Sequence, residues 1–96
     1  MNTEYMEAAL AARVRNPHQK LVLITLAAMS DRFGEVRASH KEIGELSEIN
    51  HHRVANHTEG LRKKFLVKIT KIDGARGRFD AIYSLKLNNI LKRTQV

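Results

Sequence analysis

With 96 residues the chain has room for one domain and one core, and little for a second, sensing or catalytic domain. Apolar residues at 43% exclude a disordered tail, and the lack of cysteine excludes disulfides, thiolate metal sites and cysteine nucleophiles, in keeping with a cytoplasmic protein. The net charge of +7 is unevenly placed: residues 1–50 hold six Lys/Arg against seven Asp/Glu, residues 51–96 eleven against three, and such asymmetry favours a polyanionic partner.

The N-terminal stretch MNTEYMEAALAARVR carries acids and lacks a basic segment ahead of an apolar one, so it does not read as a signal peptide. The pattern predicts a helix from Thr3 to Val14, with Met6, Leu10 and Val14 on one stripe and Tyr5 and Ala9 beside it. That stripe is either core or a homodimer face, and a domain this small favours core. Asn16 followed by Pro17 is a helix start, an N-cap and a first-turn proline. The helix it opens, to about Ser30, is apolar nearly all round (Leu21, Val22, Leu23, Ile24, Leu26, Met29) and is expected at the centre of the fold. Its apolar run, Leu21 to Met29, falls far short of the roughly 20 residues a membrane span needs.

Phe33-Gly34 ends that region, and Glu35 to Ala38 reads as a short extended piece. Ser39 with Glu42 three residues later forms a capping box for a helix whose Ile43 and Leu46 are expected to face inward. Ser47, Glu48 and Ile49 make a tight connection, and Asn50 caps a further helix from His51 to about Lys64. The period then changes to two. Val67 and Ile69 share one strand face, Lys68 and Thr70 the other, residues 73–78 form a turn, and Phe79, Ala81, Tyr83, Leu85 and Leu87 alternate with more polar neighbours, apart from Ile82. The predicted order is helix, helix, short strand, helix, helix, hairpin, with residues 88–96 as a tail. The fold class is mainly α with a small antiparallel β-wing, an α+β domain spanning residues 1–96.

Two short helices joined by a tight turn and followed by a basic hairpin resemble the winged helix-turn-helix family. The segment from Glu42 to Val54, EIGELSEINHHRV, looks like that family's helix-turn-helix core. Ile43 and Val54 match its buried aliphatics, Gly44 the small residue where the helices approach, Ile49 the aliphatic of the turn and Asn50 the polar cap. Residues Leu61 to Val67 resemble the passage into the wing, and the likeness covers roughly residues 17–87. Four positions depart from it. Ser47 and Glu48 stand where the family favours an aliphatic followed by a glycine, and Thr58 and Phe65 where it favours an aliphatic and a glycine. Within the family, Val36 to Val54 looks closest to domains of phage and plasmid replication initiators and small phage regulators.

The residues carry the same reading independently. Val54, Thr58, Leu61 and Phe65 fall on one face of the Asn50 helix, while His52, Asn56, Glu59, Gly60 and Lys63 lie opposite, flanked by Arg53 and His57. A major groove accepts one α-helix, and Arg pairs with guanine and Asn with adenine through two hydrogen bonds each. The candidate base readers are therefore Arg53 and Asn56, with Asn50, His51, His52 and His57 around them. Lys63, Lys68, Lys71, Arg76 and Arg78 are the candidate phosphate contacts, and Gly74 and Gly77 let the hairpin tip bend. His51, His52 and His57 lack a cysteine, a His-Glu-x-x-His pattern and any nearby acid beyond Glu59, which favours DNA contact over a metal. Ser39, His40 and Asp31 form no recognisable triad. The expectation is a cofactor-free, non-enzymatic protein that binds double-stranded DNA sequence-specifically, in transcription regulation or DNA replication. The rival is a winged-helix protein-interaction module with a protein partner. RNA binding ranks third, because the pattern places most of the five aromatics (Tyr5, Phe33, Phe65, Phe79, Tyr83) in the core and leaves no stacking platform.

Overall fold

The Asn16 side chain accepts hydrogen bonds from the backbone N–H groups of His18 and Gln19, both at 3.0 Å, and so starts the central helix α2, Pro17–Met29. The computed structural model describes residues 3–73 and 79–93. The other helices are α1 (Thr3–Ala11), α3 (His40–Ser47), α4 (His51–Lys63) and α5 (Leu87–Lys92). The strands β1 (Glu35–Ser39), β2 (Val67–Asp73) and β3 (Phe79–Leu85) form one antiparallel sheet in the order β1-β3-β2. The fold is mixed α+β. Among the described residues no helix is long and apolar enough to cross a membrane.

Helix α2 buries Val22, Leu23, Thr25, Leu26 and Ala27, and α1, α3, α4 and β3 pack around it. Thr25 satisfies its buried hydroxyl by donating to the Leu21 carbonyl at 2.8 Å. Helix α1 stops at Ala11, short of the expected Val14, and its buried residues are Ala8 and Ala9, joined by Ala12 beyond its end. Leu10, expected on the inward stripe with Met6 and Val14, is 54% exposed; the small alanines let α1 lie close on α2 and turn Leu10 away. The α1–α2 connection is held by cations on its carbonyls. Lys20 Nζ donates to Leu10 and Ala12, Lys64 Nζ to Val14, and an Arg93 guanidinium nitrogen to Arg13.

The capping box at α3 forms as read: Ser39 Oγ accepts from Glu42 N at 3.1 Å, and Glu42 Oε1 accepts from Ser39 N at 3.2 Å. Ile43 is buried, but Leu46, expected inward, is 63% exposed. The cause is Gly44, the point at which the next helix comes closest. A methyl group there would lie 2.7 Å from the Ile49 carbonyl oxygen and 3.2 Å from His51 Cα. The buried face of α3 therefore centres on Ile43, Gly44 and Ser47, and Leu46 falls outside it. Glu48 closes the helix in the left-handed region, φ 59° and ψ 32°.

Val54, Thr58 and Leu61 are the buried face of α4, as the spacing predicts. Phe65, expected on that face, is 74% exposed. The helix ends in a Schellman cap: Leu66 N donates to Leu61 O at 3.1 Å and Phe65 N to Arg62 O at 2.9 Å. Phe65 occupies the left-handed position of that cap, φ 61°, and Leu66 takes the buried place expected of it. Strand β3 ends at Leu85, so Leu87 does not continue its alternation. Lys86 N bonds back to Leu66 O at 2.9 Å, and the chain enters α5, whose Ile90 is fully buried; the expected tail is in part this helix, packed near α1.

Glu48 and Phe65 both hold backbone that glycine adopts without a Cβ penalty of roughly 1–2 kcal/mol, while glycine loses about 0.5–1 kcal/mol in chain entropy. Chemical denaturation is expected to show Glu48→Gly and Phe65→Gly neutral or stabilising by up to ~1 kcal/mol, with Leu66→Ala costing about 2–5 kcal/mol. Gly44→Ala is expected to cost about 1–3 kcal/mol, because the obstructing atom is backbone and cannot rotate aside.

Candidate nucleic-acid interface

Asn50 sets the start of α4: its side-chain oxygen accepts from His52 N at 3.0 Å and its carbonyl from Arg53 N at 2.8 Å. That oxygen makes the cap, and the amide NH2 of Asn50 points to no partner among the described residues. The His51 and His52 rings lie 4.0 Å apart at their centroids, tilted, and both side chains are exposed. Arg53 and Asn56 are exposed on the outer side of α4, and neither side chain makes a hydrogen bond or salt bridge among the described residues.

The remaining polar positions divide between two sides. His57 is half-buried with its ring 5.4 Å from that of His18 on α2, in a cleft also lined by Leu21 and Arg53. Burial, then the neighbouring His18 and Arg53, hold its pKa below the usual histidine value. Gly60, expected on the outer face, points at α2 instead: a methyl group there would run into the Gln19 side chain. Glu59 is tied to Arg62 through both carboxylate oxygens, and that bond, with the charges of Arg62, Lys63 and Lys71, lowers its pKa. Lys63 is exposed in the last turn of α4.

The sheet register separates the candidate phosphate contacts. Ser39 pairs with Asp80 and Lys71 with Ala81, so the start of α3 and the distal half of the hairpin share one end of the sheet. There His40 has its pKa lowered by burial, then by the charge of Lys71 and by His51, which brings residues of β2, α3 and α4 together. Lys68 pairs with Ser84 towards the other end and lines a groove with Phe65. Arg76 and Arg78, with Gly74 and Gly77, lie outside the described residues. Sequence reasoning missed His40 and His18. Their partners lie on other elements, and the pairing of β1 and β2 with β3 and the packing of α3 and α2 on α4 bring them in. Among the described residues no three His, Asp or Glu side chains are placed to hold a metal ion.

The two lowered histidine pKa values fix a direction with pH. The unfolded chain, with ordinary histidines near 6.5, binds protons before the folded chain does, so folding stability is full above that pH and falls below it. Denaturation at stepped pH is expected to show this decline beginning below about pH 6.5, and His57→Gln and His40→Gln are each expected to make it shallower. A decline that neither substitution alters would remove both histidines from the account. No protein-family model, curated protein or solved structure matches this chain.

Proposed function

We propose that the protein is a winged helix-turn-helix domain that binds double-stranded DNA sequence-specifically, as a small transcriptional regulator or replication accessory of phage or plasmid type. The observation that carries the reading is the outer side of α4. Exposed Arg53 and Asn56, whose side chains make no hydrogen bond or salt bridge among the described residues, follow His51 and His52 at the end of the fold where His40 and Lys71 also sit. Arg and Asn at the N-terminal part of a capped helix suit guanine and adenine edges, and Lys71 suits a flanking phosphate.

The architecture has its own support in the four departures from the family pattern. Glu48 and Phe65, at the two glycine positions, are both left-handed, and only Arg15 shares that conformation among the described non-glycine residues. Ser47 and Thr58, at the two aliphatic positions, are both buried, their hydroxyls bonded to Ile43 O and Ala55 O of their own helices. The chain thus keeps the backbone and the burial that the resemblance implies while changing the residue types.

The test is a fluorescence-anisotropy titration with duplexes selected from a random library, at about 50 and about 200 mM salt. Affinity is expected to fall with salt, with a slope near −0.9 for each phosphate neutralised. Arg53→Ala is expected to reduce discrimination between selected and altered duplexes by about 1–3 kcal/mol. Lys71→Ala is expected to weaken all duplexes alike and to shallow the salt slope by about 1. A folded protein that binds no duplex at the lower salt refutes the proposal. Exposed Leu46, with Glu42 and Glu45 beside it on α3, favours a second reading, docking on another protein. Capture of a partner that survives nuclease, without duplex binding, supports that reading instead.

A further inference from the structure

At the end of the sheet away from the hairpin turn, two phenylalanines stand in solvent, Phe33 at 71% exposure and Phe65 at 74%. The register places them at the same end of the sheet, on opposite sides of β3. Gly34 O accepts from Leu85 N and Leu66 O from Lys86 N, so Phe33 and Phe65 flank the chain as it leaves β3. One face of Phe33 is taken by the Arg32 guanidinium, 5.6 Å from the ring centroid. Phe65 has no aromatic or cationic partner on its ring among the described residues. It is a bulky residue in the left-handed region, where glycine would be free of strain, and Asn89 Nδ2 fixes the turn by donating to Phe65 O at 2.8 Å.

Beside Phe65 runs an open groove along the edge of β2, with Arg62, Lys68 and Lys86 on its walls and Val67 and Ile69 below. The carboxylate nearest in sequence, Glu59, is engaged by Arg62. An exposed aromatic face within a cationic groove is how proteins hold single-stranded nucleic acid: bases stack on the ring without regard to sequence, and phosphates follow the cations. A second copy of this chain fits less well, since it would bring two like charges to meet Lys68 and Lys86 if the same face were used.

We propose that this groove is a second nucleic-acid site, which takes a single strand with a base stacked on Phe65 and phosphates on Lys68 and Lys86. Four residues of β2, Thr70 to Asp73, roughly 13 Å of strand, run between this site and the hairpin turn. The inference does not rest on duplex recognition by α4, because Phe65 and Lys86 lie outside that surface.

The test is an anisotropy titration of labelled oligothymidylate and oligouridylate with the full chain. Phe65→Gly suits the observed backbone and keeps the fold, which a thermal melt checks. It is expected to weaken strand binding about ten-fold or more and to leave duplex binding as it was. Lys86→Ala is expected to reduce the salt slope for single strands by about 0.7. Comparison of the two oligomers assigns the strand to DNA or RNA. Three outcomes overturn the site: no strand binding by the folded protein at low salt, strand binding unchanged in Phe65→Gly, or strand binding lost in Arg53→Ala and kept in Phe65→Gly. An association of the protein with itself that Phe65→Gly abolishes, without strand binding, assigns the groove to a second copy and equally overturns the proposal.

Discussion

The contact between Gly44 and the Ile49 carbonyl decides where everything outward on α4 points. With no side chain at residue 44, the backbone of the turn and the first residue of α4 come against α3. Glu48 accepts a left-handed conformation to make that turn, and Asn50 caps the helix that leaves it. Val54, Thr58 and Leu61 then lock the rotation of α4 by burial. Once those three face the core, helical geometry leaves Arg53 and Asn56 no other direction than outward. The aim of the candidate reading surface is thus a packing property, fixed by residues that touch no ligand.

The parts of the fold legible in the sequence are those written in local chemistry. Asn16-Pro17, Ser39 with Glu42, and Asn50 each satisfy orphan backbone donors within one helical turn, so their signals survive without tertiary information. The errors share the opposite cause. Leu10, Leu46 and Phe65 are apolar at helical spacing, and periodicity alone counts them as core. What moved them out was small neighbours at Ala8, Ala9 and Gly44, and a left-handed cap at Phe65, none of which a hydrophobic count weighs. Leu87 reads as a strand residue until Lys86 bonds to Leu66 and Ile90 finds the core near α1, contacts between segments some twenty or more residues apart.

The candidate site follows the same division. Arg53 and Asn56 are visible because a helix face is a local pattern. The His18–His57 pair and the meeting of His40, His51 and Lys71 are not, since each joins elements that only the tertiary fold apposes. Charge counted along the chain misleads for a related reason. The surplus of cations in the second half suggests a partner, yet Lys64 and Arg93 spend theirs on the carbonyls of the α1–α2 connection, and Arg62 holds Glu59. The charge left for phosphates is smaller than the formal excess, and it is divided between two ends of the sheet.

That division bears on how Glu48 and Phe65 differ. Both fill a glycine-like backbone position, but a glutamate in water costs little beyond its strain, whereas an exposed phenylalanine also leaves a large apolar face in solvent. Two unfavourable features at one residue, each removable by a single change to glycine, call for a compensating gain outside folding. The Schellman cap does not supply it, because Leu66 makes that cap's buried contact and Asn89 secures its carbonyl. What the phenylalanine adds over glycine is its ring, and the ring shares its groove with Lys68 and Lys86. A flat apolar face ringed by cations is complementary to a stacked base with its phosphate, and an uncharged apolar partner would leave those cations without counter-charge.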